Sequence, residues 1–154
     1  MKRSIYISRK VLNGEVIHEW AKTQGFRSCV PQQDMHVTVA FDKRKHDWRD
    51  LPLYRDDGID VVDPDERSVS LFRNGAVVIE IFSTELTARW AELLNSGLHW
   101  KHADYRPHIT FTYDLPEGLD PLKVAPFDGV IKLGPEVVTD VIWQMRKNIN
   151  EEIL

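Results

Sequence analysis

Residues 35–41 read Met35-His36-Val37-Thr38-Val39-Ala40-Phe41, and residues 107–113 read Pro107-His108-Ile109-Thr110-Phe111-Thr112-Tyr113. Both runs alternate and are rich in β-branched and aromatic residues, the pattern of a strand with one face against a core. Because successive strand side chains point to opposite faces, Met35, Val37, Val39 and Phe41 are expected on one face and His36, Thr38 and Ala40 on the other. In the second run Ile109, Phe111 and Tyr113 take the first role, and His108, Thr110 and Thr112 the second. Each strand then sets an imidazole about 6–7 Å along the chain from a hydroxyl on the same face. The two copies start about half the chain apart. That spacing predicts two similar lobes, each giving one His-apolar-Thr-apolar strand to a shared cleft.

Outward from these runs, residues 3–8 alternate around Ile5 and Ile7 and predict a first strand. Val16, Ile17 and Trp20 recur at helical spacing, so a helix is expected over 14–24, with Asn13 as its N-cap and Gly25 as its stop. The stretch 42–57 is dense in charge without a sustained period and reads as a loop, and its Trp48 and Tyr54 suit a loop that closes over a substrate. Ile59–Val62, Ser68–Phe72 and Val77–Phe82 predict strands, the last two forming a hairpin through Asn74-Gly75. Ser83 or Thr84 caps a helix whose Leu86, Trp90, Leu93 and Leu94 follow helical spacing up to Gly97. After a turn-rich segment, strands are expected at 127–133 and 136–144, divided by Gly134-Pro135. The whole reads as one α+β domain over 1–154.

Charge and composition narrow the function. The chain of 154 residues carries 20 Lys+Arg against 24 Asp+Glu, and this net −4 argues against a partner such as long nucleic acid held by overall basic charge. The single cysteine, Cys29, cannot form an internal disulfide and fits a reducing compartment. No apolar run approaches the roughly 20 residues a membrane-spanning helix needs, and Met1-Lys2-Arg3 leads into only Ile5-Tyr6-Ile7. A soluble, cytoplasmic protein is expected.

One histidine on a strand is ordinarily structural, but two copies in equivalent settings point to paired chemistry. An imidazole with a pKa of about 6.5 accepts or donates a proton near neutrality. Two of them divide the work of opening a phosphodiester, one deprotonating the attacking oxygen and the other protonating the leaving oxygen. The threonine hydroxyls donate to the phosphoryl oxygens as charge develops there. In a 3′–5′ diester the neighbouring ribose 2′-hydroxyl is already close to phosphorus, so internal attack has an entropic advantage and yields a 2′,3′-cyclic phosphate. This scheme calls for no metal and no cofactor. His99, His102 and Asp104 lie close in sequence, but their spacing matches no zinc pattern, and His46 stands in the charged stretch without an evident partner. Which histidine is the base depends on the direction in which the ribose enters.

The paired motifs resemble the signature of the two-histidine (2H) phosphoesterase superfamily. Over nearly the whole length, including the opening strand with Tyr6, the helix around Trp20 and the segment Met35–Phe41, the chain is similar to the phage anti-CBASS proteins. That resemblance implies a bilobal 2H fold, with two pseudo-symmetric antiparallel sheets and flanking helices around a central cleft. It also implies hydrolysis of cyclic di- or trinucleotides such as 3′,3′-cyclic GMP–AMP, the signal an infected bacterium makes. His36, Thr38, His108 and Thr110 then form the catalytic set. The resemblance further suggests Tyr6, Glu136 and Trp143 as substrate-holding residues, the two aromatics offering faces for a base and Glu136 accepting from a base edge. Against this, aromatics on strands usually fill a core, and a glutamate beside a turn usually faces solvent. Arg9, Lys10 and Arg106 are candidates to hold a second phosphate. Two alternatives remain at this level: a 2H phosphodiesterase for RNA ends or linear 2′,3′-cyclic phosphates, and a non-catalytic sponge for cyclic nucleotides.

Overall fold

The computed structural model describes residues 1–141. Strand β1 spans Lys2–Val11 and helix α1 Gly14–Thr23, followed by β2 (His36–Asp47), β3 (Ile59–Val61), β4 (Arg67–Leu71) and β5 (Val77–Ile81). Helix α2 (Thr84–Asn95), β6 (His108–Thr112) and β7 (Ile131–Thr139) complete the order. All pairing is antiparallel, in a four-stranded sheet β2-β1-β7-β3 and a three-stranded sheet β4-β5-β6. This is the two-sheet α+β layout expected from the sequence. Among the described residues no helix is long and apolar enough to cross a membrane.

The helices cross over between the sheets. Helix α1 leaves a strand of the four-stranded sheet, yet its Ile17 and Ala21 share a core with Ile109 and Phe111 of β6. Trp20 and Phe26 set ring edges against Phe111 at 5.1 and 4.9 Å. Helix α2 leaves a strand of the three-stranded sheet, and its Leu93 packs with Ile5 and Ile7 of β1 and Val39 and Ala40 of β2. The Ser83 hydroxyl accepts from Leu86 N–H as the expected N-cap, and Gly97, at φ +116°, turns the chain out of the helix. Gly75, at φ +88°, makes the expected β4–β5 hairpin.

Five expectations are corrected. Asn13 does not cap α1; its side chain donates to Val130 C=O and accepts from Lys132 N–H, tying the helix start to β7. The stretch after Asp42 is not a loop throughout, because β2 continues to Asp47 against Lys2 and Arg3. Burial of Asp42 makes this workable: its carboxylate accepts from Arg44 N–H, His46 Nε2 at 2.7 Å and His99 N–H at 2.8 Å, so His46 is partnered as well. Beyond it Trp48, Leu51 and Leu53 pack behind the four-stranded sheet with Ile5 and Ile7, which anchors the segment expected to close over the cleft. The two strands foreseen around Gly134-Pro135 are one strand, β7. A bulge accommodates the proline: Arg9 pairs with Glu136 and Val11 with Leu133, so Gly134 and Pro135 together face Lys10.

Arg67 stitches the lower half together. Only 5% exposed, it donates to the carbonyls of Val61, Phe127 and Gly129, joining the ends of β3 and the approach to β7. Arg67→Met strips three carbonyls of their donor and is expected to cost about 3 kcal/mol, read as a lowered denaturant midpoint at constant slope. A loss under about 1 kcal/mol would show that water replaces the guanidinium.

Candidate active site

Register places the first motif. Lys10 lies opposite His36, Ser8 opposite Thr38 and Tyr6 opposite Phe41, so these six residues share one face of the four-stranded sheet. Simple alternation would have put Phe41 on the back with Val37. The register shift between Ile7 and Ser8 leaves Val39 as an extra residue, and this bulge turns Phe41 to the face that carries Thr38. Tyr6 lies edge-on to Phe41 with centroids 5.9 Å apart, and its hydroxyl is 3.0 Å from Thr38 Oγ1.

The second motif repeats the device. Glu80 lies opposite His108 and Val78 opposite Thr110, but Val77 lies opposite Thr112, leaving Phe111 as the extra residue. Thr112 is therefore not on the His108 face as alternation suggests; it is turned inward and is 1% exposed. In both strands the bulge falls on the residue directly after the motif threonine.

The backbone holds both imidazoles in the same way. His36 Nδ1 is 2.7 Å from Asp34 C=O and His108 Nδ1 is 2.7 Å from Arg106 C=O, each carbonyl two residues upstream. A carbonyl only accepts, so Nδ1 carries the proton in both rings and Nε2 is the nitrogen available for proton transfer. The two motif strands are joined across the sheets: Tyr105 donates its hydroxyl to Thr38 C=O at 2.7 Å, and Val30 N–H donates to Phe111 C=O at 2.8 Å. Burial pushes the Tyr105 phenol well above its ordinary pKa, so it stays a donor, and its ring stacks on Trp90 at 5.3 Å. His108 has a pKa below the ordinary 6.5, chiefly because it is desolvated, with the nearby positive charge of His36 acting in the same direction.

Sequence reasoning missed the surroundings of His108. The edge of Phe72 meets its ring with centroids 4.7 Å apart, and the Arg106 guanidinium lies 4.6 Å above that same Phe72 ring while paired to Glu80. The strand alternation of Val77–Ile81 already put Glu80 on one face with Val78, but only the register reveals that this is the His108 face. Of the three candidate cations, Lys10 stands beside His36 and Arg106 beside His108.

Arg9 and Glu136 are on the opposite face of the four-stranded sheet, facing each other across β1 and β7. The Glu136 carboxylate is fully buried; it accepts from Arg89 Nε and Nη2, both at 2.9 Å, and lies 3.7 Å from Arg9. The structure thus brings His36, Thr38, His108, Thr110 and Tyr6 together and sets Glu136 behind the sheet. Tyr6 is 1% exposed, so its ring is packed and its hydroxyl is what reaches the motif. Trp143 lies outside the described residues. His99, His102 and Asp104 form no metal-ligand cluster; none is present among the described residues.

Comparison with known proteins accords with this geometry. The family described as Anti-CBASS protein Acb1 matches residues 3–148, which takes in both motifs. The chain belongs to the Acb1 family. Its relatives include the Anti-CBASS protein Acb1 of Caulobacter sp. (strain RHG1), 34% identical over 97% of this chain, and that of Sphingomonas paeninsulae, 35% identical over 91%. These alignments cover 24% and 23% of the relatives, so the chain spans about a quarter of the length of the curated Acb1 proteins it matches. Among solved structures, E. coli LigT in apo form superposes with a TM-score of 0.57 at 14% identity, covering 89% of this chain and 86% of that one. LigT complexed with ATP gives a TM-score of 0.59 at 15% identity, with the same coverage. The Acb1 chain therefore has the 2H phosphoesterase fold anticipated from its paired motifs.

The depressed pKa of His108 has a measurable sign. Below pH 6.5 the unfolded chain takes up a proton that the folded His108 resists, so this residue's contribution to stability falls as the pH drops from 6.5 through its folded value. An NMR titration, with the resonance assigned by its loss in His108→Ala, is expected to give a midpoint below 6.5. A midpoint at or above 6.5 would contradict the burial argument.

Proposed function

We propose that this chain is a phosphodiesterase that opens the 3′–5′ bonds of cyclic di- and trinucleotides in the infected bacterial cytoplasm and thereby counters CBASS. The observation that carries the reading is the matched restraint of His36 and His108, each with Nδ1 bound to a carbonyl two residues upstream, which makes Nε2 the nitrogen for proton transfer. Membership of the Acb1 family supports the anti-CBASS role.

The reaction runs on side chains. The ribose 2′-hydroxyl next to the scissile phosphate attacks phosphorus; one Nε2 removes its proton and the other Nε2–H protonates the departing 5′-oxygen. The products are a linear strand with a 2′,3′-cyclic phosphate at one end and a free 5′-hydroxyl at the other. Thr38 and Thr110 donate to the phosphoryl oxygens, and the Tyr6 hydroxyl fixes the rotamer of Thr38. Burial behind Phe72 favours neutral His108, the form a general base needs, and leaves His36 to supply the proton to the leaving oxygen.

Incubation with 3′,3′-cyclic GMP–AMP in EDTA is expected to give linear product. His36→Ala and His108→Ala should each lower kcat by about 10²–10⁴ with unchanged thermal midpoints. Intact nucleotide retained by the wild-type protein would establish the sponge instead, and turnover confined to RNA ends or linear 2′,3′-cyclic phosphates would move the substrate class. A nucleoside 3′-(4-nitrophenyl phosphate) separates the two roles, because its leaving group departs without an acid. His36→Ala should recover most of its activity on this ester and His108→Ala should not; the reverse pattern would exchange the roles.

A further inference from the structure

A groove of about 590 Å³ opens beside the catalytic face, with Glu80, Phe82 and Arg106 on one wall and Thr87, Ala88 and Ala91 of α2 on the other. Its position is set by the second motif. Glu80 is the cross-strand partner of His108, and the Arg106 carbonyl is the one that holds His108 Nδ1. The Arg106 side chain, 54% exposed, reaches from Glu80 to the ring of Phe72, whose edge contacts His108. Reacting imidazole, cation and groove therefore form one continuous line.

We propose that this groove is the subsite for the substrate nucleotide that is not being cleaved, with Arg106 on its phosphate and the groove enclosing its base. The inference rests on the phosphodiesterase reading and specifies how a cyclic, rather than a mononucleotide, substrate is held. Arg106 spends Nε and Nη2 on Glu80 and makes no hydrogen bond through Nη1 among the described residues, so a donor remains for an anion without breaking the ion pair. Glu80 keeps the guanidinium aimed along the groove. Phe82, 56% exposed, lines the groove just beyond β5 and offers an aromatic plane for a base. Small side chains at 88 and 91 leave the space open, and its volume falls within the roughly 300–1,000 Å³ of small-molecule sites. A nucleoside 3′-(4-nitrophenyl phosphate) has neither a second phosphate nor a second base to place there.

Ala88→Trp fills the groove from an exposed helical position, and an unchanged thermal midpoint verifies its fold. Calorimetry with 3′,3′-cyclic GMP–AMP, in a His36→Ala background to prevent turnover, is expected to show at least a tenfold rise in Kd on adding Ala88→Trp. Arg106→Gln, which keeps a hydrogen-bonding group opposite Glu80, should weaken binding and flatten its salt dependence. With His36 intact, Ala88→Trp should lower kcat/KM for the cyclic dinucleotide at least tenfold more than for the nucleoside 3′-(4-nitrophenyl phosphate). Equal Kd with and without Ala88→Trp, equal losses on the two substrates, or no cyclic dinucleotide bound by the His36→Ala parent would each overturn the proposal. If the wild type cleaves neither substrate, the phosphodiesterase reading fails while the calorimetric comparison still decides the groove.

Discussion

The apolar face of each helix is buried in part on the sheet that did not produce it, and the cleft depends on this exchange. A sheet with one apolar face must bury it against a second layer. Ile17, Ala21 and Trp20 of α1 cover Ile109 and Phe111, while Leu93 of α2 covers Ile5, Ile7 and Val39. The largest core cluster takes residues from both sheets and both helices, so the faces left over, carrying His36 and His108, stay oriented with respect to each other. The hydrogen bond from Tyr105 to the Thr38 carbonyl completes the join at the strands themselves. The helices and their periods are plain in the sequence; which sheet each one covers is not, because periodicity identifies an apolar face without naming its partner.

Within the sheets the same limit applies at single residues. His-apolar-Thr-apolar was legible twice, and with it the pairing of imidazole and hydroxyl on one face. The bulges at Val39 and Phe111 were not, since an inserted residue leaves apolar and polar letters nearly in alternation while reversing every face beyond it. One signal was present: Val39 and Ala40 are consecutive small apolar residues, and both are buried in the same cluster behind the sheet. The consequence differs between the copies. In β2 the reversal brings Phe41 under Tyr6 on the catalytic face, whereas in β6 it sends Thr112 into the interior.

Charged residues were the least legible part. Asp42, Arg67 and Glu136 look like surface residues in a chain with this much charge, yet each is buried and held by hydrogen bonds. The physics is consistent: an isolated buried charge is costly, so such residues occur where hydrogen bonds and opposite charges converge, and convergence depends on tertiary register. Glu136 illustrates this most directly. Its place at the start of a predicted strand after Gly134-Pro135 suggested exposure, but the bulge there aligns it with Arg9 and presents it to Arg89 of α2. Its carboxylate thereby fixes α2 behind the sheet whose other face carries Tyr6.

The two histidines share a backbone restraint but not an environment, and a two-proton reaction needs that difference. Identical imidazoles with identical pKa values would compete for the same proton, and neither ionisation state would favour one as donor. Here His108 is backed by Phe72, where desolvation disfavours the charged ring, while His36 stands beside Lys10 on a face lined by the Tyr6–Thr38 hydroxyl pair. The carbonyl two residues upstream does the same job for both, setting the tautomer and aiming Nε2. Duplication thus supplies the common geometry, and the unlike neighbours on the two sheets give the proposed base and acid different surroundings. Pseudo-symmetry in the backbone with asymmetry in the side chains is the arrangement that acid–base catalysis by two like groups requires.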